Sequence, residues 1–535
     1  MVALVTGVLV ACVLVACAGE PPVDDPHPAS ATILLASEPA GVNPLVSGGS
    51  RSTQDLIDRL FLHLFEEQPD FARRPPTFAP QLASAWRWSD DGLRLTIDLR
   101  QDVRWSDGVA VTADDVRWTW EVQRDPRVGW PYAEVKRHIV DVRPLGAHRL
   151  EVLFDAPSPN RLAELNEGNI LPRHAWGRLA LEDWPSQADW FARQLVTNGP
   201  FRLAAWQPQQ ELVLVANPDY HEPGLPGLER VIWRIVPLRR NRLAALERGE
   251  ADFVAQLTPD EARRLAEVPH VSVRQFWHRQ YDYVAWNTRR ERLASAAVRR
   301  ALTQAIDRQT LVDALWHGQA RVATGPIPAN VWAHHPGLEP WPHAPAAARA
   351  TLEAEGWGAV STTLEQDGER FSLELLVNAG NPIHVDAALL IGAQLQAVGI
   401  EASVRRLDFH ALIDRLDSGD FDAAIGSWGI DTSLDLGYAF HSESWTEGYN
   451  SGGYANPRAD ALIEAHRVAL DLETRRRILY ELQEILHVDQ PYTFLWEPPR
   501  LDAQNIRLGG VEPNPLSSLF RLRQWRLQTD VRAGL

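Results

Sequence analysis

Val103-Arg104-Trp105-Ser106-Asp107-Gly108, followed shortly by Thr112-Ala113-Asp114-Asp115-Val116, is the stretch from which the fold is read. Trp105 to Gly108 reads as a turn, because Asp-Gly pairs supply both a local acceptor and a backbone free to bend. Thr112 has an acid three residues on, Asp115, which is the pattern of a capped helix start. Upstream, Asp91-Gly92 predicts another turn, and Leu93, Leu95, Ile97 and Leu99 alternate with polar residues as a strand does. Ala31-Thr32-Ile33-Leu34-Leu35 predicts the first strand, and Leu212, Leu214 and Ala216 a later one. Ile478, Leu479, Leu482, Ile485 and Leu486 have helical spacing and predict a helix beginning after Glu473. Strand and helix signals mix along the whole chain, so the fold class is α/β.

At 535 residues the chain exceeds what one core supports, since cores stop growing near roughly 250–300 residues. Two or three domains are expected. The net charge of -17 argues against nucleic acid as a partner, because phosphate binding needs a basic face. The single lysine, Lys136, lies in Val135-Lys136-Arg137 and not beside a phosphate-loop glycine, so ATP hydrolysis by that route is excluded. Schiff-base chemistry would rest on Lys136 alone.

Residues 2–16 are almost wholly apolar, too short for a membrane span but of signal-peptide length. Both cysteines, Cys12 and Cys17, close the same string, Leu-Val-Ala-Cys. That string resembles the lipobox of bacterial lipoproteins. Cys17 is the expected lipidation site, because Ala18-Gly19-Glu20-Pro21-Pro22 after it is a polar tether. The expectation is a signal peptide over 1–17, a linker over 18–30, and an exported chain held by lipid at the membrane, in the periplasm or on the cell surface.

Several strings occur together in order. They are Pro80-Gln81-Leu82-Ala83-Ser84-Ala85-Trp86, the opening stretch, Asn198-Gly199-Pro200-Phe201, and Asn217-Pro218-Asp219-Tyr220. Val298-Arg299-Arg300-Ala301-Leu302, Ala305-Ile306-Asp307-Arg308 and Tyr454-Ala455-Asn456-Pro457 follow. In this combination the chain resembles extracytoplasmic solute-binding family 5, the dipeptide- and oligopeptide-binding proteins of ABC transporters. The resemblance implies a two-lobed fold of the periplasmic-binding-protein type, class II, with an extra subdomain in the first lobe. It implies lobe 1 over 31–286, with the subdomain at about 76–197, lobe 2 over 287–496, and a return to lobe 1 over 497–535. The hinge is expected at 283–288 and 492–497. The implied function is capture of a small solute, a short peptide first, for an ABC importer whose permease and ATPase subunits are separate chains. A monomer is expected, with no cofactor and no metal.

The resemblance also implies ligand-binding residues. Gly426-Ser427-Trp428-Gly429-Ile430-Asp431 matches a W-x-x-D string, with Trp428 as an aromatic wall and Asp431 as the partner of a ligand ammonium. Asp435 could share the acidic role. Glu38 and Gly41 lie in a loop expected to pair with an extended ligand, less fully because Pro39 lacks an N–H. His384 is expected near a ligand carboxylate, and Tyr283 at the hinge. Where oligopeptide binders carry basic residues, this chain has Ile425 and Leu416. That leaves open dipeptides, modified peptides or a non-peptide ligand such as an oligosaccharide, opine or metal complex. A receptor feeding a sensor is a further alternative. An enzyme is not expected: there is neither a GxSxG elbow nor an HExxH helix. Among 17 histidines, the pair His334-His335 sits in a turn beside Pro336-Gly337.

Overall fold

The computed structural model describes residues 30–528 apart from 513 and 516. The signal peptide, Cys17 and nearly all of the linker expected over 18–30 lie outside the described residues. Among the described residues two large sheets organise the chain. In the first, Ser30–Leu35 runs parallel to Arg230–Ile235 and Phe253–Val254, and the hairpin Phe201–Gln207 with Glu211–Ala216 extends one side. Val271–Trp277 and Pro499–Asn505 close the other side. The second sheet places Gln280–Trp286 between Tyr492–Glu497 and Ala423–Gly429, with Ser372–Asn378 and Glu401–Leu407 beyond. Each sheet has its own apolar cluster, so each anchors one lobe.

A four-stranded antiparallel sheet, Ala83–Trp88, Arg94–Leu99, Arg149–Phe154 and Ile139–Gly146, adds a subdomain to the first lobe. The opening stretch of sequence builds its corner. Trp105 is fully buried, and Gly108 takes a φ of 89°, which a side chain would strain. The helix Ala113–Arg124 starts where the cap predicts. Asp115 accepts from the Thr112 amide at 2.9 Å, the Arg173 amide at 3.1 Å and Trp105 Nε1 at 3.4 Å. One carboxylate thus ties turn, helix start and a later helix together. Lys136 is buried, and its Nζ donates to the carbonyls of Glu164, Leu165 and Glu167 at 2.7–2.9 Å. It caps the end of Arg161–Asn166 and is closed to a substrate carbonyl.

The hinge differs from the expectation. Segments 283–288 and 492–497 lie within and at the end of neighbouring strands of the second sheet. The chain crosses between sheets at His278-Arg279 and at Pro498, because Trp277 pairs with Pro499 in the first sheet and Asp282 with Trp496 in the second. Both lobe boundaries expected at 286 and 496 move accordingly. Tyr283 lies inside the strand Gln280–Trp286 of the second sheet and not at the crossing. The lobes also touch away from the crossing. Phe71, from lobe 1, is buried among second-lobe residues, and its carbonyl accepts from the Trp332 amide at 3.0 Å.

Candidate functional site

A cavity of about 460 Å³ opens in lobe 2 against the strand Ala423–Gly429. This is within the size range of ligand sites, about 300–1,000 Å³. The strand brings Gly426, Ser427 and Trp428 to the cavity, and its neighbour brings Tyr283. Tyr283 stacks on Tyr492 at 4.2 Å and lies nearly parallel to Trp428 at 6.2 Å. Tyr438 and Tyr449 meet Trp428 edge-on. Trp428 and these tyrosines therefore form a continuous aromatic surface beside the cavity. Gly426 is required by that surface: a Cβ there would lie 2.6 Å from the Tyr283 hydroxyl.

A polar floor lies beneath the aromatics. Asp282 is 2% exposed. It accepts from Ser427 Oγ at 2.6 Å, Trp496 Nε1 at 2.8 Å and Gln280 Nε2 at 3.1 Å, and His384 Nε2 lies 3.1 Å away. Burial alone would raise the Asp282 pKa, but the hydrogen bonds from His384, Ser427 and Gln280 outweigh it and hold the group below its ordinary value. This trio is not a nucleophilic triad. The serine hydroxyl donates to the carboxylate and not to a free imidazole nitrogen, and His384 presents the same Nε2 to both partners. Sequence reading missed Asp282. Its signal is an acid within Gln280-Tyr281-Asp282-Tyr283-Val284, an otherwise largely buried strand.

Asp431 lies beside the crossing, because the preceding Ile430 amide donates to the Arg279 carbonyl at 2.7 Å. Its Oδ1 accepts from the Ser433 amide at 3.0 Å, Ser433 Oγ at 2.7 Å and the Leu434 amide at 3.0 Å. Oδ2 has no hydrogen-bond partner among the described residues. The carboxylate is open to solvent yet ringed by protein, and that surrounding mass raises its pKa, with Asp435 adding to the shift. Asp431 itself lines neither this cavity nor the one in lobe 1, although the next residue, Thr432, lines the latter. A half-satisfied, exposed carboxylate is suited to an arriving cation.

The other expected residues separate from this site. Asp435 accepts from the Gly437 amide at 2.9 Å and from Arg467 Nε at 2.9 Å, so its charge is already paired. Glu38 accepts from Trp206 Nε1 at 2.5 Å and the Gln209 amide at 3.1 Å, which ties its loop to the hairpin of the first sheet. Gly41 is a packing glycine, since a Cβ would lie 2.4 Å from Ser47 Oγ. The amides of Ala40 and Asn43 are taken by Thr53 and Ser47. Glu38 and Gly41 line neither this cavity nor the one in lobe 1. His384 lines the cavity, but its Nε2 serves Asp282. His334 and His335 diverge, one to the Ile327 carbonyl and the other to Glu484.

A second cavity, of about 240 Å³, lies in lobe 1 and reaches Thr432 of lobe 2. Several of its charges face one another. Arg523 pairs with Glu66 at 2.7 Å and Glu222 at 3.0 Å, and His63 with Asp58 at 3.3 Å.

Comparison with known proteins agrees with this architecture. The sequence profile described as "Bacterial extracellular solute-binding proteins, family 5 Middle" matches residues 77–450. The oligopeptide-binding protein AppA of Bacillus subtilis is 28% identical over 462 residues, covering 83% of each chain. Di/tripeptide-binding protein 2 of Pseudomonas aeruginosa is 26% identical over 518 residues, 92% of this chain and 94% of its own. The structure of B. subtilis AppA in complex with a nonapeptide superposes with a TM-score of 0.78 at 25% identity, over 93% of this chain and 99% of that one. NikA of Brucella suis in complex with Fe(III)-EDTA superposes with a TM-score of 0.82 at 22% identity, over 93% and 100%, which speaks for the fold alone. The chain belongs to the bacterial extracellular solute-binding proteins of family 5, a family of binding proteins and not of enzymes.

Proposed function

We propose that this protein captures short peptides with a free amino terminus between its lobes and delivers them to an ABC importer. The observation that carries the reading is Asp431: an exposed carboxylate beside the crossing between the lobes, held by one oxygen and without a hydrogen-bond partner at the other among the described residues, three residues on from Trp428 of the aromatic wall. A terminal ammonium supplies the missing charge-assisted hydrogen bonds. Relatives named for oligopeptides and di- or tripeptides support the same ligand class. Trp428, Tyr283, Gly426 and Ser427 form the wall, while Asp282 and His384 stiffen it from beneath. In this reading Asp435, Glu38 and Gly41 shape the fold around the ligand. Cys17 carries a lipid that keeps the monomeric chain near its permease.

Mass spectrometry of whatever the natively purified chain releases on denaturation tests the ligand class. Short peptides with free amino termini are expected. A glycan, an opine or a metal complex would contradict the peptide reading and leave the family unchanged. The mass of the mature amino-terminal peptide tests the anchor: a diacylglyceryl increment on Cys17 is expected, and an unmodified Cys17 in the exported chain would contradict it.

A further inference from the structure

The lobe 2 cavity is apolar to a degree that the anchor alone does not require. Leu412, Leu416 and Ile425 line its depth, with Ile425 2% and Leu412 5% exposed. No Arg or Lys is among its lining residues, and the acid there, Asp417, is exposed. Two large aromatics at the cavity are left uncovered: Phe409 is 58% exposed and Tyr449 61%. Aromatic surface of this extent at an opening marks a place that a ligand covers. A carboxylate entering this space would lose its hydration and gain no cation. Ile425 and Leu416, the positions at which the sequence lacks basic residues, thus converge on one apolar chamber.

Resting on the peptide reading above, we propose that this chamber is a side-chain pocket that selects peptides carrying a large apolar or aromatic residue. Phe409 and Tyr449 close over that side chain, and Trp428 and Ile425 form its bed. Asp431 fixes the backbone and sets no side-chain preference, so affinity and selectivity come from different residues. The volume of about 460 Å³ exceeds what one alanine fills and accommodates a phenylalanine or leucine side chain.

Calorimetric titration with trialanine and its single Phe, Leu, Asp and Lys substitutions at each position tests this on the full mature chain. The expected result is one position at which Phe or Leu binds roughly tenfold or more tighter than Ala, and Asp weaker than Ala. Tyr449→Ala and Leu416→Arg, both at lining residues, are each expected to reduce that preference, read as the ratio of Phe to Ala affinity within each variant. Equal affinity for Ala and Phe at every position would overturn the inference, as would a preference for Lys or Asp. Binding of no tripeptide at all would instead overturn the proposed function on which it rests.

Discussion

Two cavities of this molecule, one in each lobe, hold opposite chemistries. The lobe 2 chamber is walled by Tyr283, Trp428 and Tyr492, and aromatic surface at Phe409 and Tyr449 is left open. The lobe 1 cavity is rich in charge, yet Arg523 meets Glu66 and Glu222, and Asp58 meets His63. Charges that answer each other belong to the architecture, because separating them would strand a poorly hydrated ion. Apolar surface that nothing covers belongs to a partner. A cavity is therefore read by what its walls lack and not by its number of polar groups.

The comparison can be broken most forcefully in lobe 1. Arg523→Met leaves Glu222 without its cation and Glu66 with Arg521 alone at 3.4 Å, and is expected to cost about 3 kcal/mol of stability. Peptide affinity of the folded variant should not change. Denaturant unfolding and calorimetry read the two quantities, and a loss of affinity with intact stability would reverse the roles of the two cavities.

Gly426→Ala acts on the other cavity. The new Cβ would crowd Tyr283, which is fixed against Tyr492 by a 4.2 Å stack. We expect about 2 kcal/mol of destabilisation together with weaker binding of peptides bearing apolar side chains. Unchanged affinity would show that the aromatic surface is not the wall.

The smallest effect is a pH dependence. His63 is raised: burial would lower it, but the hydrogen bond and charge of Asp58 prevail. Asp58 is lowered to about 2 because its contacts with His63 outweigh its burial. The His63 contribution is full below its unfolded pKa, about 6.5, and is lost as pH rises through the higher folded value. The Asp58 contribution is present above about 4 and is lost as pH falls through its lowered folded value. His63→Gln should therefore destabilise the fold by under about 1 kcal/mol at pH 6 and by less at pH 9, read from the melting temperature at each pH. A deficit that grows toward pH 9 would contradict the pairing. Ligand affinity should be indifferent throughout.

Much of the local structure was legible in the sequence. Alternation predicts the strand Arg94–Leu99, and the Thr112 and Asp115 pair predicts the helix Ala113–Arg124. The long helix Leu472–Asp489 begins earlier than its apolar spacing implies. Asp471 caps it by accepting from the Thr474 amide at 2.8 Å, and the only apolar residue of the first turn, Leu472, is partly buried against the core. Trp428 was legible from its string, but the tyrosines around it come from neighbouring strands and a later loop, so the full aromatic surface was not. Nor was the fate of the acids. Asp435 finds Arg467, Glu38 finds Trp206 and His384 finds Asp282, partners that come from distant parts of the chain. Such pairings exist only once the lobes are folded, so an acid's role as anchor or as scaffold waits on its neighbours. The hinge was misplaced for a related reason. Tyr283 and Tyr492 read as ends of segments, but the sheet continues through them and the chain crosses at His278-Arg279 and Pro498.

The central claim is that a ligand ammonium completes the open side of Asp431. Titrating one apolar tripeptide with a free amino terminus, and its N-acetyl form, against the native chain and Asp431→Asn tests it most directly. The account predicts that acetylation and Asp431→Asn each weaken binding by roughly tenfold or more, and that acetylation costs little further in the variant. Equal binding of the free and acetylated peptides to the native chain would contradict it.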